Sequence, residues 1–321
     1  MTSTDSLAAA LRAGDRAALA RAITLVESRR PQDQTAAEAL LTGLLPHTGG
    51  AARIGVTGAP GVGKSTFLEA LGVRLCAAGR RVAVLAVDPS SAVTGGSILG
   101  DKTRMAELSR HPNAFVRPSP GGDTPGGVAA RTREALLLCE AAGFDVVLVE
   151  TIGTGQSETA VAAMVDAFLL LLSPAAGDEL QGIKRGVMEL CSAVLVHKAD
   201  GDLQAAAERA AQQCALALRV LRGHDRTPVR TGSSLTGRGI GELWTAIEDE
   251  LAQQRASGEV ARRRAQQAEH WLDGTVRELL LGAFFADARV GAELPRLRAE
   301  VAAGRMLPGA AARALLALHR G

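Results

Sequence analysis

Two periodicities alternate along the chain. Short, mostly apolar runs at 53–57, 82–87, 114–117, 145–150, 168–172 and 193–196, and the mixed Pro228-Val229-Arg230-Thr231, have the length of strands. Several, such as Val82–Val87 and Phe168–Leu172, are apolar at every position, as strands covered on both faces require. Between them, 66–71, 128–142, 203–221 and 239–251 carry apolar residues at helical spacing. This alternation predicts an α/β fold, a mostly parallel central sheet flanked by helices. Ahead of the first strand, 5–28 shows Leu and Ala at helical spacing, with Asp5 or Ser6 as a cap and a break at Gly14-Asp15. A further amphipathic helix over 33–45 ends at Pro46, and 47–50 links it to the sheet. From Ala256 onward the pattern is helical and Arg-rich, including Arg262, Arg263 and Arg264. Apolar positions at Trp271, Leu272, Val276, Leu279 and Leu280 make this an arm, not a second core. The expected division is 1–50 as an N-terminal helical extension, 51–254 as the core and 255–321 as a C-terminal helical arm. The polar, Gly-rich stretches 92–105 and 119–127 are long for loops inside a compact domain, and such loops usually carry function.

Composition narrows the classes. With 47% hydrophobic and 22% charged residues the chain is core-forming, not disordered. Its apolar runs are too short to span a bilayer, and the acidic, apolar-poor start is no signal peptide. Cys76, Cys139, Cys191 and Cys214 stand singly in apolar patterns, which suggests reduced, buried thiols and a cytoplasmic location. A net charge of +2 says little about partners, while 2% aromatics and no Tyr argue against base stacking on single strands. The basic arm has Asp and Glu interspersed and no groove-reading motif, so a dimerisation role is favoured over a solvated helix or a nucleic-acid contact. Of 36 basic residues only Lys64, Lys102, Lys184 and Lys198 are lysines, so each invites attention.

Two of these lysines fall in recognisable motifs. Gly58-Ala59-Pro60-Gly61-Val62-Gly63-Lys64-Ser65 fits G-x-x-x-x-G-K-[ST], between a strand and a helix that starts near Thr66. Its glycines permit a tight turn and close approach of backbone N–H groups to phosphate. Lys64 is placed to reach the β/γ-phosphates and Ser65 to ligate Mg²⁺. At the tip of the fourth strand, Glu150-x-x-Gly153 has the spacing of a metal-holding carboxylate followed by a γ-phosphate sensor. His197-Lys198-Ala199-Asp200 matches [NT]-K-x-D except at its first position. Asp200 has the acceptors that guanine N1–H and N2–H₂ need and adenine cannot use. The Lys198 stem can cover the purine face, and the loop at Ser233 and Ser234 can pack on the base. His197 can donate from one ring nitrogen, with a geometry unlike that of Asn. Gln156 lies near the Glu150 turn and is a candidate for orienting water.

The runs VDPSSAVTGGSILGDKTRM, ETIGTGQSE, GDELQGIKRG and HKAD are similar to those of the MeaB/ArgK family of GTPases, from about Arg21 to Leu251 and more loosely beyond. The resemblance implies a SIMIBI-class P-loop core with helical extensions, a homodimer, and GTP/GDP with Mg²⁺ as ligands. It implies that Asp88, Asp101 and Glu150 are the carboxylates around the metal. It also implies that the loop from Ser173 to Lys184, with Asp178, Glu179, Gln181 and Lys184, couples nucleotide state to a partner. That partner is an adenosylcobalamin-dependent acyl-CoA mutase, to which the family gates cofactor delivery and which it protects or reactivates. The sequence departs from the family at His197 (Asn expected), at 121–125 and at Thr154 (Val expected). The expected activity is slow GTP hydrolysis by in-line attack of water, stimulated by the partner. Three rivals are a metal-delivery GTPase, against which the scattered His and isolated Cys argue, an ArgK-type transport-associated kinase, and a nucleotide-binding scaffold with no useful turnover.

Overall fold

The computed structural model describes residues 3–28, 30–87, 105–118, 125–151, 157–174, 185–223 and 227–320. Three helices come first: α1 (Ser3–Arg12), α2 (Arg16–Glu27) and α3 (Pro31–Leu44). The break between the first two falls where expected, because Gly14 takes a left-handed φ of +83° and Asp15 caps α2. The Asp15 carboxylate accepts from the N–H groups of Ala17 and Ala18 at 2.7 and 3.1 Å.

Strands and helices then alternate. β1 (Ala52–Gly58) leads to α4 (Lys64–Ala77), β2 (Val82–Val87), a short α5 (Ala106–Arg110) and β3 (Ala114–Pro118). Next come α6 (Pro125–Ala141), β4 (Val146–Thr151), α7 (Ser157–Ala162), β5 (Ala167–Leu172), α8 (Arg185–Leu190) and β6 (Ala193–Val196). The series closes with α9 (Gln204–Arg222), β7 (Val229–Thr231) and α10 (Ile240–Ala256). Among the described residues seven strands form one sheet in the order β3-β2-β4-β1-β5-β6-β7, every adjacent pair parallel. β1 sits at the centre, so the turn that leaves it lies where the sheet's C-terminal edge is flanked by loops on both sides.

Side chains of β2, β4, β5 and β6 alternate between two cores. Ala83, Leu85, Val147, Val149, Leu170 and Val194 face one layer, Ile54, Val56, Val84, Leu148, Leu169 and Leu195 the other. That double burial is why the central strands β2 and β5 read as unbroken apolar runs. The first layer includes the N-terminal helices, through Leu11, Leu19, Ile23, Leu40 and Leu44. The second holds α4 and α10, through Phe67, Leu71, Leu243 and Ile247.

At the N-terminal edge, opposite the loops, a buried ionic knot joins distant segments. Arg264 donates to both oxygens of Asp166 at 2.8 and 2.6 Å and to the Gly49 and Ala51 carbonyls at 2.7 Å each. Arg53 forks onto Glu140 at 3.0 and 2.7 Å, and both carboxylates are wholly buried.

The chain forms two compact units, Met1–Ala265 and Gln266–Gly321. Helices α11 (Glu259–Ala286), α12 (Ala288–Ala302) and α13 (Pro308–Arg320) complete the chain. The second unit has a small core of its own, Val290, Leu297, Ala311 and Leu315, with Phe284, Leu294 and Met306 packed on it. Among the described residues no helix is long and apolar enough to cross a membrane.

Candidate active site

β1 delivers Gly58 to the C-terminal edge, and the turn from Gly58 to Ser65 follows. Gly61 and Gly63 take φ of +79° and +97°, in the region that side chains avoid. Close approach also excludes a Cβ: at Gly58 it would lie 2.5 Å from the Leu171 carbonyl oxygen, and at Gly63 2.8 Å from the His197 ring. Ala59, Pro60 and Gly61 are exposed, so the turn presents backbone to solvent. α4 starts at Lys64, and its positive dipole end faces the same space. Thr66, on its first turn, is exposed.

Lys64 is buried and donates from Nζ to the carbonyls of Gly58 at 2.7 Å and Ala59 at 3.2 Å. Burial pushes its ammonium below the usual lysine range, while the charges of Glu150 and Glu158 pull it back. Ser65 Oγ donates to Glu150 Oε1 at 3.0 Å. β4 neighbours β1 with Glu150 level with Val56, which puts the carboxylate beside the loop. A hydroxyl and a buried carboxylate this close are hard oxygen donors, and the pair fits Mg²⁺. Behind them, the buried hydroxyls of Thr57 and Thr151 meet at 2.9 Å and align the ends of β1 and β4.

The other end of the cradle is built by β6 and β7. Lys198 holds a left-handed φ of +57°, and among the described residues it is the non-glycine residue that does so. Its Nζ donates to the Gly61 carbonyl at 2.7 Å, crossing to the phosphate loop. The fully buried Ser233 donates its hydroxyl to Asp200 Oδ2 and accepts from Leu235 and Thr236 N–H at 3.2 and 3.4 Å. Arg238 braces the same turn by donating to the Ala199 carbonyl at 2.7 Å. His197 is buried, with Nδ1 2.8 Å from the Val62 carbonyl and Nε2 2.6 Å from Ser234 Oγ.

One edge of the sheet thus gathers Gly58 to Thr66, Glu150, His197, Lys198, Asp200, Ser233 and Ser234. Asp88, Asp101, Gln156, Asp178, Glu179, Gln181 and Lys184 lie outside the described residues. Glu158 and Arg238 escaped the sequence reading. Glu158 opens α7 and is buried, and an acid at the first turn of that helix was the available signal.

The family described as "Methylmalonyl Co-A mutase-associated GTPase MeaB" matches residues 19–289. The chain belongs to that family. A "Putative GTPase" of Caulobacter vibrioides is 57% identical to this MeaB-family chain, over 98% of it and 97% of the relative. "GTPase ArgK" of Escherichia coli is 51% identical over 86% of this chain and 85% of the relative. The mouse "Methylmalonic aciduria type A homolog, mitochondrial" is 45% identical over 97% and 78% respectively. A solved structure described as "LAO/AO transport system kinase" superposes with a TM-score of 0.79, at 39% identity, covering 100% of this chain and 99% of that one. The fold is therefore that of a P-loop GTPase, and this MeaB-family chain binds guanine nucleotide and hydrolyses GTP.

Proposed function

We propose that this GTPase is the chaperone of an adenosylcobalamin-dependent acyl-CoA mutase of the methylmalonyl-CoA kind, gating cofactor loading and protecting or reactivating the enzyme in the cytoplasm. The observation that carries the reading is the match over residues 19–289 to a family whose description names that mutase. The cradle supports the nucleotide half. Lys64 neutralises phosphate charge, and Asp200, pinned by Ser233, accepts from guanine N1–H and N2–H₂. Lys198 lays its stem over the purine. Ser65 and Glu150, with Asp88 and Asp101, hold Mg²⁺, which when bound offsets charge on the β/γ oxygens. Gln156 orients the attacking water, and Asp178, Glu179, Gln181 and Lys184 carry the nucleotide state to the mutase. The exposed apolar side of α11 supports a homodimer.

Turnover measured with and without purified methylmalonyl-CoA mutase tests this. The expected result is slow phosphate release alone and a rise of about tenfold or more with the mutase, since a well-placed extra cation is worth more than that. An unchanged rate despite demonstrated binding overturns the coupling. The kinase description of the 39%-identical structure favours a second reading, phosphoryl transfer to a protein acceptor. Recovery of the labelled γ-phosphate on protein instead of as free phosphate would establish it.

A further inference from the structure

His197 stands where two loops meet, between the phosphate loop and the turn that follows β7. Its ring is 3% exposed and lies edge-on to Phe67 of α4, with centroids 6.3 Å apart. The Val62 carbonyl, 2.8 Å from Nδ1, can only accept, so Nδ1 carries the proton. The Ser234 backbone N–H, 3.3 Å from Nε2, can only donate, so Nε2 is bare and also takes the Ser234 hydroxyl at 2.6 Å. Two backbone groups thus select one neutral tautomer. The ring also touches the loop itself, because a Cβ on Gly63 would fall 2.8 Å from both Cε1 and Nδ1.

We propose that His197 is a positioning residue that fixes the phosphate loop against the Ser233–Ser234 turn as the neutral Nδ1–H imidazole, so that guanine-nucleotide affinity falls when the ring takes a second proton. The inference rests on the guanine-nucleotide reading of the cradle. A proton on Nε2 would confront the Ser234 N–H donor to donor and place a charge in a buried seam. Burial, the largest influence, already holds the ring below its ordinary value of 6.5. The Val62 bond and the Asp200 charge pull it up, and the Lys198 charge pushes it further down. Because the folded value is depressed, the neutral clamp is intact above 6.5 and is lost as pH falls through the lowered value.

Amide side chains separate the two contacts. Asparagine puts its amide nitrogen two bonds from Cβ, level with Nδ1, so His197→Asn keeps the Val62 bond and does not titrate. Glutamine puts its amide three bonds out, level with Nε2, so His197→Gln reaches Ser234 and not Val62. Calorimetry of GDP with Mg²⁺ on the full chain, from about pH 5 to about pH 8, reads the difference. At the alkaline end His197→Asn and His197→Gln, which each keep one of the two contacts, are expected to bind more weakly than wild type, and His197→Ala, which keeps neither, about tenfold more weakly. In acid the wild type is expected to lose affinity more steeply than His197→Asn, whose profile reports the groups both proteins share. Parallel profiles for those two, or full affinity in His197→Ala, overturn the proposal. A wild type that ignores GDP at every pH overturns the nucleotide reading itself and the proposal with it. Long-range ¹H–¹⁵N spectra of the imidazoles, with His197→Asn identifying the signal, need no nucleotide. An Nδ1–H pattern is expected, and an Nε2–H pattern overturns the assignment.

Discussion

Lys64 places its ammonium in a buried setting. Burial lowers its pKa and the nearby charges of Glu150 and Glu158 oppose this, while two carbonyls of its own loop accept from Nζ. Those contacts curl Nζ over the loop, within reach of an oxyanion seated there. Replacing Lys64 by Ala removes a charge-assisted hydrogen bond of about 1.5–3 kcal/mol, which corresponds to GDP binding weaker by about tenfold to 150-fold. Calorimetry measures it, and unchanged affinity would sink the assignment of Lys64 to the phosphates. At this scale the sequence was informative where chemistry is local. Lys64 and Ser65 lie within one eight-residue pattern, and Glu150 closes an apolar run. His197 shows the opposite case. Its partners lie 135 and 37 positions away, so nothing nearby could say that both ring nitrogens were spoken for. Glu158 acts on Lys64 from a different strand-helix unit, and its local sign was only its place in the first turn of α7.

Elements were legible in proportion to how apolar they are. Six of the seven strands emerged from mostly apolar runs, β7 from the mixed Pro228-Val229-Arg230-Thr231, and the Gly14-Asp15 break was readable because a glycine and a capping residue coincide there. The short helix α5 was missed. Its five residues are too few to show a period, although Leu108 is fully buried against Gly72. Strand order was equally silent. β4 enters between β2 and β1, and strands buried on both faces carry no mark of their neighbours. The N-terminal helices read as an extension, since an amphipathic stripe reveals that a face is covered without revealing by what; here it is the sheet layer. Neighbour identity has consequences at Gly55 of β1. A Cβ there would lie 2.6 Å from Phe168 Cδ2 of β5 and 2.9 Å from Val161 Cγ1 of α7. Both atoms belong to buried side chains, Phe168 and Val161, in a packed layer, so Gly55→Ala is expected to cost about 1–3 kcal/mol through overpacking. Urea unfolding measures this as a lower midpoint with an unchanged slope. A midpoint equal to wild type would show that this layer has room the geometry denies.

Across the whole molecule, the two edges of the sheet do different work. The C-terminal edge exposes backbone and polar side chains to a ligand, while the N-terminal edge is closed by Arg264, Asp166, Arg53 and Glu140, which join the start of α11 to β1 and α6. Such pairs strengthen a connection more than they stabilise a fold, because desolvation offsets most of their attraction. The unit from Gln266 onward presents a different feature. On α11, Leu272, Val276, Leu279 and Leu280 recur at i, i+4, i+7 and i+8, and all are exposed, Leu279 and Leu280 at 68% and 64%. Leu281 and Phe285 widen the stripe and are also exposed. Burying one leucine side chain is worth about 1.5–3 kcal/mol, so a contiguous stripe left in water forgoes several times that. A stripe of this kind on a polar helix is the kind of surface a partner covers, and a second copy of the chain would satisfy it with the same residues from both sides. Light scattering on the purified protein should therefore give twice the chain mass, and the double variant Leu279→Glu, Leu280→Glu should give the single mass. Both residues lie outside the nucleotide cradle, so the variant should still bind GDP, which separates lost assembly from lost folding. A wild type that stays monomeric at tens of micromolar, or a double variant that stays dimeric, would remove α11 as the dimer contact.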